Sequence, residues 1–565
     1  MKDVSPVFLK HPLVLMFLLA ATARAGLVKL AESGDPEPGS TNQFFIISQD
    51  PTINERGQVA FYSDLRNTSG FAQGFGFFLA DGDTNTTIAY TGEAPPDANG
   101  YFNTFHEPAA LNTSNQIFLA NLTSTLGGSS DNVGIYQLSG GVLTQLARKG
   151  QPATPESGTF QGLANAAIPV NRSGQTAFTG TTSSNIVALF RSTGATLTRL
   201  AWYNEPSPDG NGTLGNLFTG ATLNNNGQVA FFSTIFSSTN SSSFACLLAD
   251  GNSLKVLTRS QQASPDGNGV FLLFPNELPA INDNGQMAFV ANLTGTSGGS
   301  ADNEGLYRTD GNTTVQLVRK GQFVPNGNGR FLDFGQSYVA NNNGGQVAFF
   351  ADLTGTTGGS SDNAGIFLAD GNTVTQLARK GQSAPDTNGV YSTFGLNRPA
   401  LNNKGQVAFR ATLTGTSGGT ADNQGVFLVD TNSSILQIIR AGWIIDGETV
   451  FTPNFLEGPD YGGMTGLNDE GQMAVWSALN GNHAVYLWSR PKMGEVVKTP
   501  STVSVGWTSF GGGTNVLQAA PSPTAPFTNI AVISLRANRL VRTNFFEPVI
   551  TNAPARFYRV NEISK

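Results

Sequence analysis

The sequence predicts an all-β protein built from eight copies of one structural unit. A turn motif, Asn-x-x-Gly followed by Gln-Val-Ala-Phe or a close relative, recurs along most of the chain. Each copy contains four short strand-like runs bounded by Gly, Asn and Asp, and no sustained helical period is found. The motifs begin at Asn54, Asn112, Asn171, Asn224, Asn282, Asn342, Asn402 and Asn468. Successive motifs are 53 to 66 residues apart, which predicts a solenoid, a propeller or an array.

The composition is typical of many short strands joined by polar turns. Charged residues make up 13% of the 565 residues, whereas Gly contributes 67 residues and Phe 39. Regularly spaced Val, Ile, Leu and Phe exclude a disordered chain, and the length exceeds one ordinary core. The single cysteine, Cys246, excludes an internal disulfide and lies in an apolar run, which predicts a core residue rather than a nucleophile.

The turn motif has a physical cause. Asn at the first position and Gly at the fourth are the preferred ends of a type I turn. The Asn side chain can bond backbone amides two residues on, and Gly adopts the left-handed conformation at no steric cost. The second copy has Asn115 where Gly is expected, and Asn tolerates that conformation best after Gly. The eight Asn residues are therefore predicted to have a structural role.

The strand-like runs predict four antiparallel strands per unit. In the sixth copy they span residues 330–340, 346–353, 365–370 and 373–380. Four antiparallel strands without a helix form the blade of a β-propeller, and such blades must stack on neighbours to bury their faces. The alternative is a linear β-solenoid, which usually has shorter repeats and does not need its ends to meet.

The two ends of the repeat region predict closure of a ring. Residues 26–39 match the fourth strand and following loop of a copy such as 374–389, and the last copy supplies the first three strands. We therefore predict, over residues 26–490, an eight-bladed β-propeller with one-plus-three closure, which would remove exposed sheet edges. The alternative is that residues 494–500 form the last copy's own fourth strand.

The remaining segments predict an export signal and a small C-terminal domain. Residues 1–25 have a weakly basic start, a short apolar run and an Ala-Arg-Ala cleavage pattern, so the mature chain is predicted to begin at Gly26. Residues 491–565 lie outside the repeat and are predicted to form a β-rich module, with Pro491 and Pro500 marking the linker. We expect a monomer that is secreted, periplasmic or held at the cell surface.

The charge balance excludes two classes of partner. The formal charge is −7, and it becomes −9 when residues 1–25 are removed with their three basic residues and one acidic residue. A mildly acidic chain is a poor candidate for binding nucleic acid or an anionic membrane surface. No stretch after residue 25 has 18 consecutive apolar residues, so no membrane span is predicted.

The repeated unit resembles a known family. The pattern P-A-x-N-x-x-G-Q-V-A-F … G-I-F-L-A-D-G … Q-L-x-R-K-G resembles exported bacterial tandem-repeat proteins with an NxxGxxAF motif and, more distantly, the blades of TolB-type propellers. This resemblance implies a propeller in an exported protein and brings no catalytic residues. The C-terminal segment resembles a small β-sandwich module of secreted bacterial proteins, with Trp507, Leu517, Phe527 and residues 557–560 as landmarks.

Two sets of loops are candidate binding sites, because in a propeller they would share one face. The loops between strands two and three contain Asp131, Asp302, Asp362 and Asp422. The loops after strand four contain Asp97, Asp209, Asp266 and Asp386. Oxygen-rich loops suit a Ca²⁺ ion or a sugar. The favoured interpretation is instead that these side chains hold their own turns, because a familiar calcium loop needs more carboxylates.

Other motifs give no catalytic prediction. Arg148, Arg319 and Arg379 recur in an Arg-Lys-Gly motif and are expected to pair with loop Asp residues across blades, each contributing about 0.2 to 1 kcal/mol if exposed. The sequence Gly-Thr-Ser-Gly-Gly at 295–299 and 415–419 matches a hydrolase pattern, but no helix follows it. No zinc-ligand spacing or phosphate-binding loop is found, and no cofactor is predicted.

The favoured function is a non-enzymatic exported propeller that binds a partner or acts as a surface scaffold. The partner would be a polysaccharide or a surface protein, because near-identical loops suit multivalent binding better than catalysis. The alternative is a secreted carbohydrate-active hydrolase or lyase that uses carboxylates in the central channel. Its candidate acids are Glu107, Glu277, Glu457 and Asp460, which do not repeat between copies.

Overall fold

The computed structural model describes most of residues 26–563, and by its contacts the chain divides into two compact units. The residues not described within that span are 83, 155–156, 164–167, 184, 195, 238–241, 252, 275–277, 335–338, 396–397, 459–463, 511–513, 523, 535–539 and 550–555. The predicted export signal, residues 1–25, lies outside the described residues. The larger unit comprises Ala31–Ala80 and Asn85–Val485, and the smaller unit comprises residues 1–30, 81–84 and 486–565.

The described residues are all-β, as the sequence predicts. Antiparallel strands account for the regular structure, together with four short 3₁₀ turns, and no α-helix is found among these residues. The 3₁₀ turns are Gly128–Ser130, Gly299–Ala301, Gly359–Ser361 and Gly419–Ala421. In the described part of the chain, no helix is long and apolar enough to cross a membrane.

Eight sheets each contain one of the Asn turns, and they are numbered here in the order of those turns. Sheet 1 comprises Gln43–Ile47, Thr52–Ile53, Val59–Arg66, Ala72–Asp81 and Thr84–Tyr90. Sheet 2 comprises Tyr101–Leu111, Asn115–Thr123, Val133–Ser139 and Val142–Arg148. Sheet 3 comprises Pro152–Thr154, Gly158–Leu163, Thr176–Thr182, Val187–Ser192 and Leu197–Trp202. Sheet 4 comprises Thr213–Leu223, Val229–Phe236, Ser242–Asp250 and Ser253–Arg259.

The next three sheets have the same plan, with a first strand in two pieces that both pair with the second strand. Sheet 5 comprises Val270–Leu273, Ala280–Ile281, Met287–Thr294, Glu304–Thr309 and Thr314–Arg319. Sheet 6 comprises Arg330–Asp333, Ala340–Asn341, Gln346–Thr354, Ala364–Asp370 and Thr373–Arg379. Sheet 7 comprises Val390–Phe394, Ala400–Leu401, Val407–Thr414, Gln424–Val429 and Ile435–Arg440. A two-stranded hairpin of Ile444–Ile445 and Glu448–Thr449 follows.

Sheet 8 contains strands from both ends of the region. Its order is Gly26–Glu32, His483–Ser489, Met473–Ala478 and Thr452–Asn454. Within the larger unit, the Ser33 backbone N–H donates to the carbonyl of His483 over 2.9 Å, and Trp476 Nε1 donates to the carbonyl of Ile47 over 2.8 Å. Residues 494–500, the alternative fourth strand, overlap Lys492–Lys498, which pairs with Thr502–Phe510 in another sheet.

Phe and aliphatic side chains fill the space between consecutive sheets. One core cluster joins residues of sheets 5 and 6, and the next joins sheets 6 and 7. In sheet 6, the ring centroids of Phe331 and Phe349 lie 5.1 and 5.6 Å from that of Phe367. Such aromatic contacts add to the stabilisation from burial, which explains the high Phe content. The buried thiol of Cys246 belongs to an equivalent cluster between sheets 4 and 5.

The sixth unit corrects one predicted strand. The sequence predicts a single strand over 330–340, but the structure has Arg330–Asp333 and Ala340–Asn341. The pairing shifts register between Phe331, opposite Leu353, and Asp333, opposite Asp352. A bulge of this kind bends the strand and interrupts the ladder, and the hydrophobic pattern alone does not reveal it.

The Asn turns form as predicted, except in sheet 2. In sheet 1, Asn54 Oδ1 accepts hydrogen bonds from the backbone N–H groups of Arg56 and Gln58, and Gly57 has a φ of +81°. The interpretation of Asn115 as a left-handed replacement for Gly is wrong. Asn115 lies in the strand Asn115–Thr123, because this turn is one residue shorter and closes when the Asn112 N–H bonds the Asn115 carbonyl.

The smaller unit contains two three-stranded antiparallel sheets that share one core. The first comprises Lys492–Lys498, Thr502–Phe510 and Leu540–Pro548, and the second comprises Thr528–Ser534, Thr514–Ala520 and Phe557–Ile563. Of the predicted landmarks, Trp507, Leu517 and Tyr558 are fully buried in that core. Arg559 lies over the ring of Phe527, with 4.3 Å between the guanidinium carbon and the ring centroid.

Candidate functional site

The two sets of predicted loops meet in four of the sheets, where they form a structure named here the clasp. In sheet 5 the clasp consists of Asp266, Asn268, Asp302 and Arg319. Asn268 Nδ2 donates to Asp302 Oδ2 over 2.7 Å, and the backbone N–H of Ser297 donates to Asn268 Oδ1 over 2.7 Å. Each clasp therefore joins the loop that enters a sheet to the loop between its second and third strands.

The Arg at the end of the fourth strand completes each clasp. In sheet 7, Arg440 Nη1 lies 2.8 Å from Asp386 Oδ2, while Nη2 and Nε donate to the carbonyls of Asn388 and Asp422. In sheet 2 the same contacts are made by Arg148 with Asp97, Asn99 and Asp131. In sheet 6 the place of the first Asp is taken by Asn326, to which Arg379 donates over 3.3 Å.

These Arg contacts correct two details of the sequence interpretation. The Arg residues are buried, with 1% of Arg148 and 5% of Arg379 exposed, so they are not surface ion pairs. They also tie a loop to the sheet that it enters, rather than joining two different sheets. A buried guanidinium that fills all its hydrogen bonds costs little in desolvation, whereas removing its partners would leave an uncompensated charge.

All eight predicted Asp residues are engaged by their own loops. Asp131, Asp302, Asp362 and Asp422 end the four 3₁₀ turns and accept hydrogen bonds from clasp Asn side chains. Asp97, Asp209, Asp266 and Asp386 form ion pairs with Arg148, Arg259, Arg319 and Arg440. The structure thus brings six of them together in pairs, and leaves Asp209 and Asp362 without a second predicted Asp in the same sheet.

Hydrogen bonding keeps these carboxyl groups ionised. Burial alone would raise the pKa of Asp209, but hydrogen bonds from Ser207, Asn211 and Arg259 lower it to about 2. The pKa of Asp302 is also held below its ordinary value, because its hydrogen bonds outweigh the effect of burial. Among the described residues, no group of three or more His, Cys, Asp or Glu side chains could hold a metal ion.

The eight turn Asn residues form a closed circuit of hydrogen bonds. The Nδ2 of each Asn donates to the backbone carbonyl of the Asn in the next sheet, over 2.6 to 3.1 Å, and the Asn of sheet 8 donates to that of sheet 1. This circuit is named here the Asn ring. The ring explains why Asn is required at the position: its Oδ1 holds its own turn while its Nδ2 reaches the neighbouring turn.

A cavity of about 270 Å³ is lined by all eight turns of the Asn ring. The residues that follow the ring Asn form its mouth and differ in charge between the sheets. They are Glu55, Thr113, Arg172, Asn225, Asp283, Asn343, Asn403 and Asp469. Arg172 Nη2 lies 2.8 Å from Asp469 Oδ2, joining sheets 3 and 8. Burial, with the nearby Asp469 carboxylate, raises the pKa of Glu55 to about 7.

The candidate catalytic acids are only partly described. Glu277 and Asp460 lie outside the described residues. Glu457 is buried and paired with Arg410, whose Nε lies 3.3 Å from Glu457 Oε1. Glu107 reaches water, yet the surrounding protein raises the pKa of its carboxyl group, with smaller contributions from Asp50 and Asp64.

The sequence interpretation missed the mouth residues. Their signal was present, because one position of an otherwise uniform turn carries Glu, Arg, Asp or Asn in different copies. The spacing of the motif could not show that these positions converge on one cavity, since it gives only the distance between turns along the chain.

Sheets, turns and clasps together define an all-β protein in which one turn organises a ring of sheets. A family model, described as Family of unknown function (DUF7453), matches residues 17–194 and 180–496. The chain therefore belongs to this family. No curated protein matches the sequence.

Several solved structures are distantly similar. The β-propeller domain of the Trilobed protease from Pyrococcus furiosus is 10% identical, with a TM-score of 0.35, over 70% of this chain and 98% of that chain. Pyrococcus horikoshii acylaminoacyl peptidase is 10% identical, with a TM-score of 0.34, over 82% of this chain and 57% of that chain. The lectin of Aleuria aurantia is 12% identical, with a TM-score of 0.25, over 60% of this chain and 97% of that chain. Because these TM-scores are low, no activity is inferred from the similarities.

Proposed function

We propose that the eight sheets are the blades of a closed eight-bladed β-propeller within an exported, non-enzymatic binding or scaffold protein. Two observations support the ring: the Asn ring returns from sheet 8 to sheet 1, and Gly26–Glu32 lies in the last sheet. The proposal includes export through residues 1–25, a β-sandwich in residues 491–565 and the resemblance to NxxGxxAF and TolB-type repeats. A closed ring would leave the loops as the variable, outward-facing part of the molecule.

The observation that supports a binding function is the repetition of the clasp. Sheets 2, 5, 6 and 7 each hold the two loops with the same bonds, so the loop tips are presented in the same geometry. At the tip the exposed residues are Leu126, Ser297, Thr357 and Ser417. A repeated surface of this kind favours a partner that also repeats, because several weak contacts then act together.

A neutral polysaccharide is the partner that this surface fits best. The tips of sheets 5, 6 and 7 expose Gly, Ser, Thr and Ala, while the charged groups of the clasp are neutralised inside the loops. The exposed groups are therefore mostly uncharged hydrogen-bonding groups, which match sugar hydroxyls. A surface protein partner is the other outcome that the test below distinguishes.

The test is retention of the full mature chain on insoluble cellulose, chitin and xylan. We expect retention on at least one of them, and a decrease as Ser297→Glu, Thr357→Glu and Ser417→Glu are combined. The loss from the triple variant should exceed the product expected from independent sites with one substitution each. These side chains lie outside the clasp bonds, so thermal stability should be unchanged.

A matched control places three Glu residues on the opposite turns of the same sheets. Thr313, Asn372 and Thr431 are exposed and lie between the third and fourth strands. The variant Thr313→Glu, Asn372→Glu, Thr431→Glu should be retained like the wild type. No retention on any of the three polymers would contradict the polysaccharide partner, and equal loss in both triple variants would contradict the loop face.

The second candidate function is a carbohydrate-active hydrolase or lyase. It is favoured by one observation, the raised pKa of Glu107 beside the carboxyl groups of Asp50 and Asp64. A protonated and an ionised carboxyl group in proximity are what acid–base chemistry on a glycosidic bond requires. Release of reducing sugar from the same polymers, abolished by Glu107→Gln, would support it, whereas unchanged release would exclude Glu107.

A further inference from the structure

The cavity inside the Asn ring has an apolar wall. The residue directly before the ring Asn is aliphatic in seven of the eight sheets, and Asn341 of sheet 6 is the exception. Leu223, Ile281 and Leu401 are only half-buried, although they belong to the innermost part of the larger unit. Aliphatic surface left facing a cavity favours an apolar ligand group, because covering it removes that surface from water.

The mouth of the same cavity has an excess of negative charge. Three carboxylates, Glu55, Asp283 and Asp469, line it together with one guanidinium, that of Arg172. Arg172 is already bound to Asp469 and lies 3.9 Å from Glu55. The mouth therefore repels anions and attracts cations.

Asp283 is the carboxylate that remains without a cationic partner. It accepts hydrogen bonds from the neutral groups of Asn225 and Asn343, over 2.7 to 3.0 Å. No Lys, Arg or His among the described residues forms an ion pair with it. A carboxylate held by neutral donors keeps its full charge, so it can interact favourably with an incoming ammonium group.

We propose that this cavity binds a small organic cation, namely a primary ammonium group carried on a short apolar chain. The ammonium group would lie at Asp283 in the mouth, and the apolar chain would contact the aliphatic wall around Leu401. The volume, about 270 Å³, is close to the lower end of ligand cavities, roughly 300 Å³. This inference is independent of the proposed binding at the clasp loops.

The chemistry of the cavity argues against the other ligand classes. An anion would meet three carboxylates, and the single guanidinium is already engaged. A metal ion would need several convergent ligands, and the described residues provide no such group. A sugar would leave the aliphatic wall uncovered, so it would gain little from the feature that distinguishes this cavity.

The experiment is calorimetric titration of the full mature chain with hexylammonium, hexanoate and hexanol at pH 8. We expect saturable binding of hexylammonium, weaker binding of hexanol and none of hexanoate. Affinity should rise from propyl- to hexylammonium, by up to roughly fourfold per methylene group if the chain is fully buried. Equal affinity for hexanoate, or no dependence on chain length, would overturn the proposal.

Two variants take their new residue from the equivalent position of another sheet, so the fold already accommodates each change. Asp283→Asn copies Asn343, and Leu401→Asn copies Asn341. Each should weaken hexylammonium at least fivefold, with Asp283→Asn leaving hexanol unaffected. The control Asp310→Asn removes an exposed carboxylate of the same sheet outside the cavity and should bind like the wild type. Unchanged hexylammonium affinity in Asp283→Asn, or no saturable binding to the wild type, would overturn the proposal.

Discussion

At the scale of single residues, the clasp Arg residues show how a charged group can be buried without being a site. Arg440 is 1% exposed, and its guanidinium binds one carboxylate and two backbone carbonyls. Its position at the end of a strand places it between two loops that would otherwise have no common partner. The Arg therefore determines loop conformation, and the loop tips remain free for other contacts.

We expect Arg440→Met to lower the free energy of unfolding by about 3 kcal/mol, the lower end of values for breaking a buried pair. Part of the usual cost is avoided because the side chain of Asp386 is 36% exposed and can be hydrated. The measurement is the urea unfolding midpoint with the slope held constant. The control is Asp386→Asn, which copies the Asn326 arrangement of sheet 6 and should cost less than about 1 kcal/mol. Equal effects of the two variants would contradict the assignment.

Glu55 predicts a pH dependence of stability. Its pKa is raised to about 7 in the folded protein, chiefly by burial, from an ordinary value of 4.5. Between these values the folded protein keeps a proton that the unfolded chain has lost, so the contribution of Glu55 to stability decreases as pH rises. Glu55→Gln should therefore raise the melting temperature at pH 8 and leave it unchanged at pH 4. The difference between variant and wild type, followed from pH 4 to 8, tests this, and a gain at pH 4 alone would contradict it.

At the scale of strands and turns, the sequence pattern located most elements because local chemistry decides them. The predicted runs 346–353, 365–370 and 373–380 correspond to Gln346–Thr354, Ala364–Asp370 and Thr373–Arg379. Alternating apolar residues and Gly or Asn at the ends are sufficient for such strands. The broken first strand and the shorter turn at Asn112 were not predictable, because both depend on how a strand meets its neighbour.

Two glycines of sheet 6 separate backbone strain from steric conflict. Gly371 and Gly381 both have positive φ, +57° and +82°. A Cβ at Gly371 would meet nothing within 4 Å, whereas one at Gly381 would lie 2.8 Å from the carbonyl oxygen of Ser361. Gly371→Ala should therefore cost about 1 kcal/mol, the penalty for the left-handed conformation alone.

Gly381→Ala should cost at least twice as much as Gly371→Ala, because the backbone of the clasp loop must also move. Urea unfolding of both variants is the measurement. Hydrogen exchange of the amides at 359–363 provides a second readout, and it should increase only in Gly381→Ala. Equal stability of the two variants would show that the loop moves freely, contrary to the clasp geometry.

At the scale of the whole molecule, the proposed closure depends on one seven-residue strand, Gly26–Glu32. A chain lacking residues 26–32 should melt well below the intact protein, and it should associate through the exposed edge of His483–Ser489. A synthetic peptide of residues 26–39 should restore part of the melting temperature, whereas a scrambled peptide should not. Unchanged melting and a monomeric truncated chain would contradict the closure.

Export predicts where the mature chain begins. When the full sequence is expressed in a bacterium with an intact export pathway, the protein should be recovered outside the cytoplasm with Gly26 as its first residue. N-terminal sequencing is the measurement. The variant Ala25→Arg, which removes the small residue of the cleavage pattern, should accumulate as the uncleaved chain. A wild-type protein that retains residues 1–25 would contradict the prediction.

The sequence by itself determined the class of structure and the position of its turns. Asn, Gly and alternating apolar residues act through the backbone within a few positions, so their effect is legible in the chain alone. It also indicated that the loop Asp residues hold turns and pair with Arg, although it did not reveal how deeply those Arg residues are buried.

Only the tertiary structure decided what the repeated positions do together. Asn54 and Asn468 are 414 positions apart, yet one hydrogen bond joins them. Glu55, Arg172, Asp283 and Asp469 look unrelated in the sequence, and they share one cavity. The physical reason is that a side chain can show its own donors and acceptors, whereas its partner is chosen by the packing of sheets that the chain reaches much later.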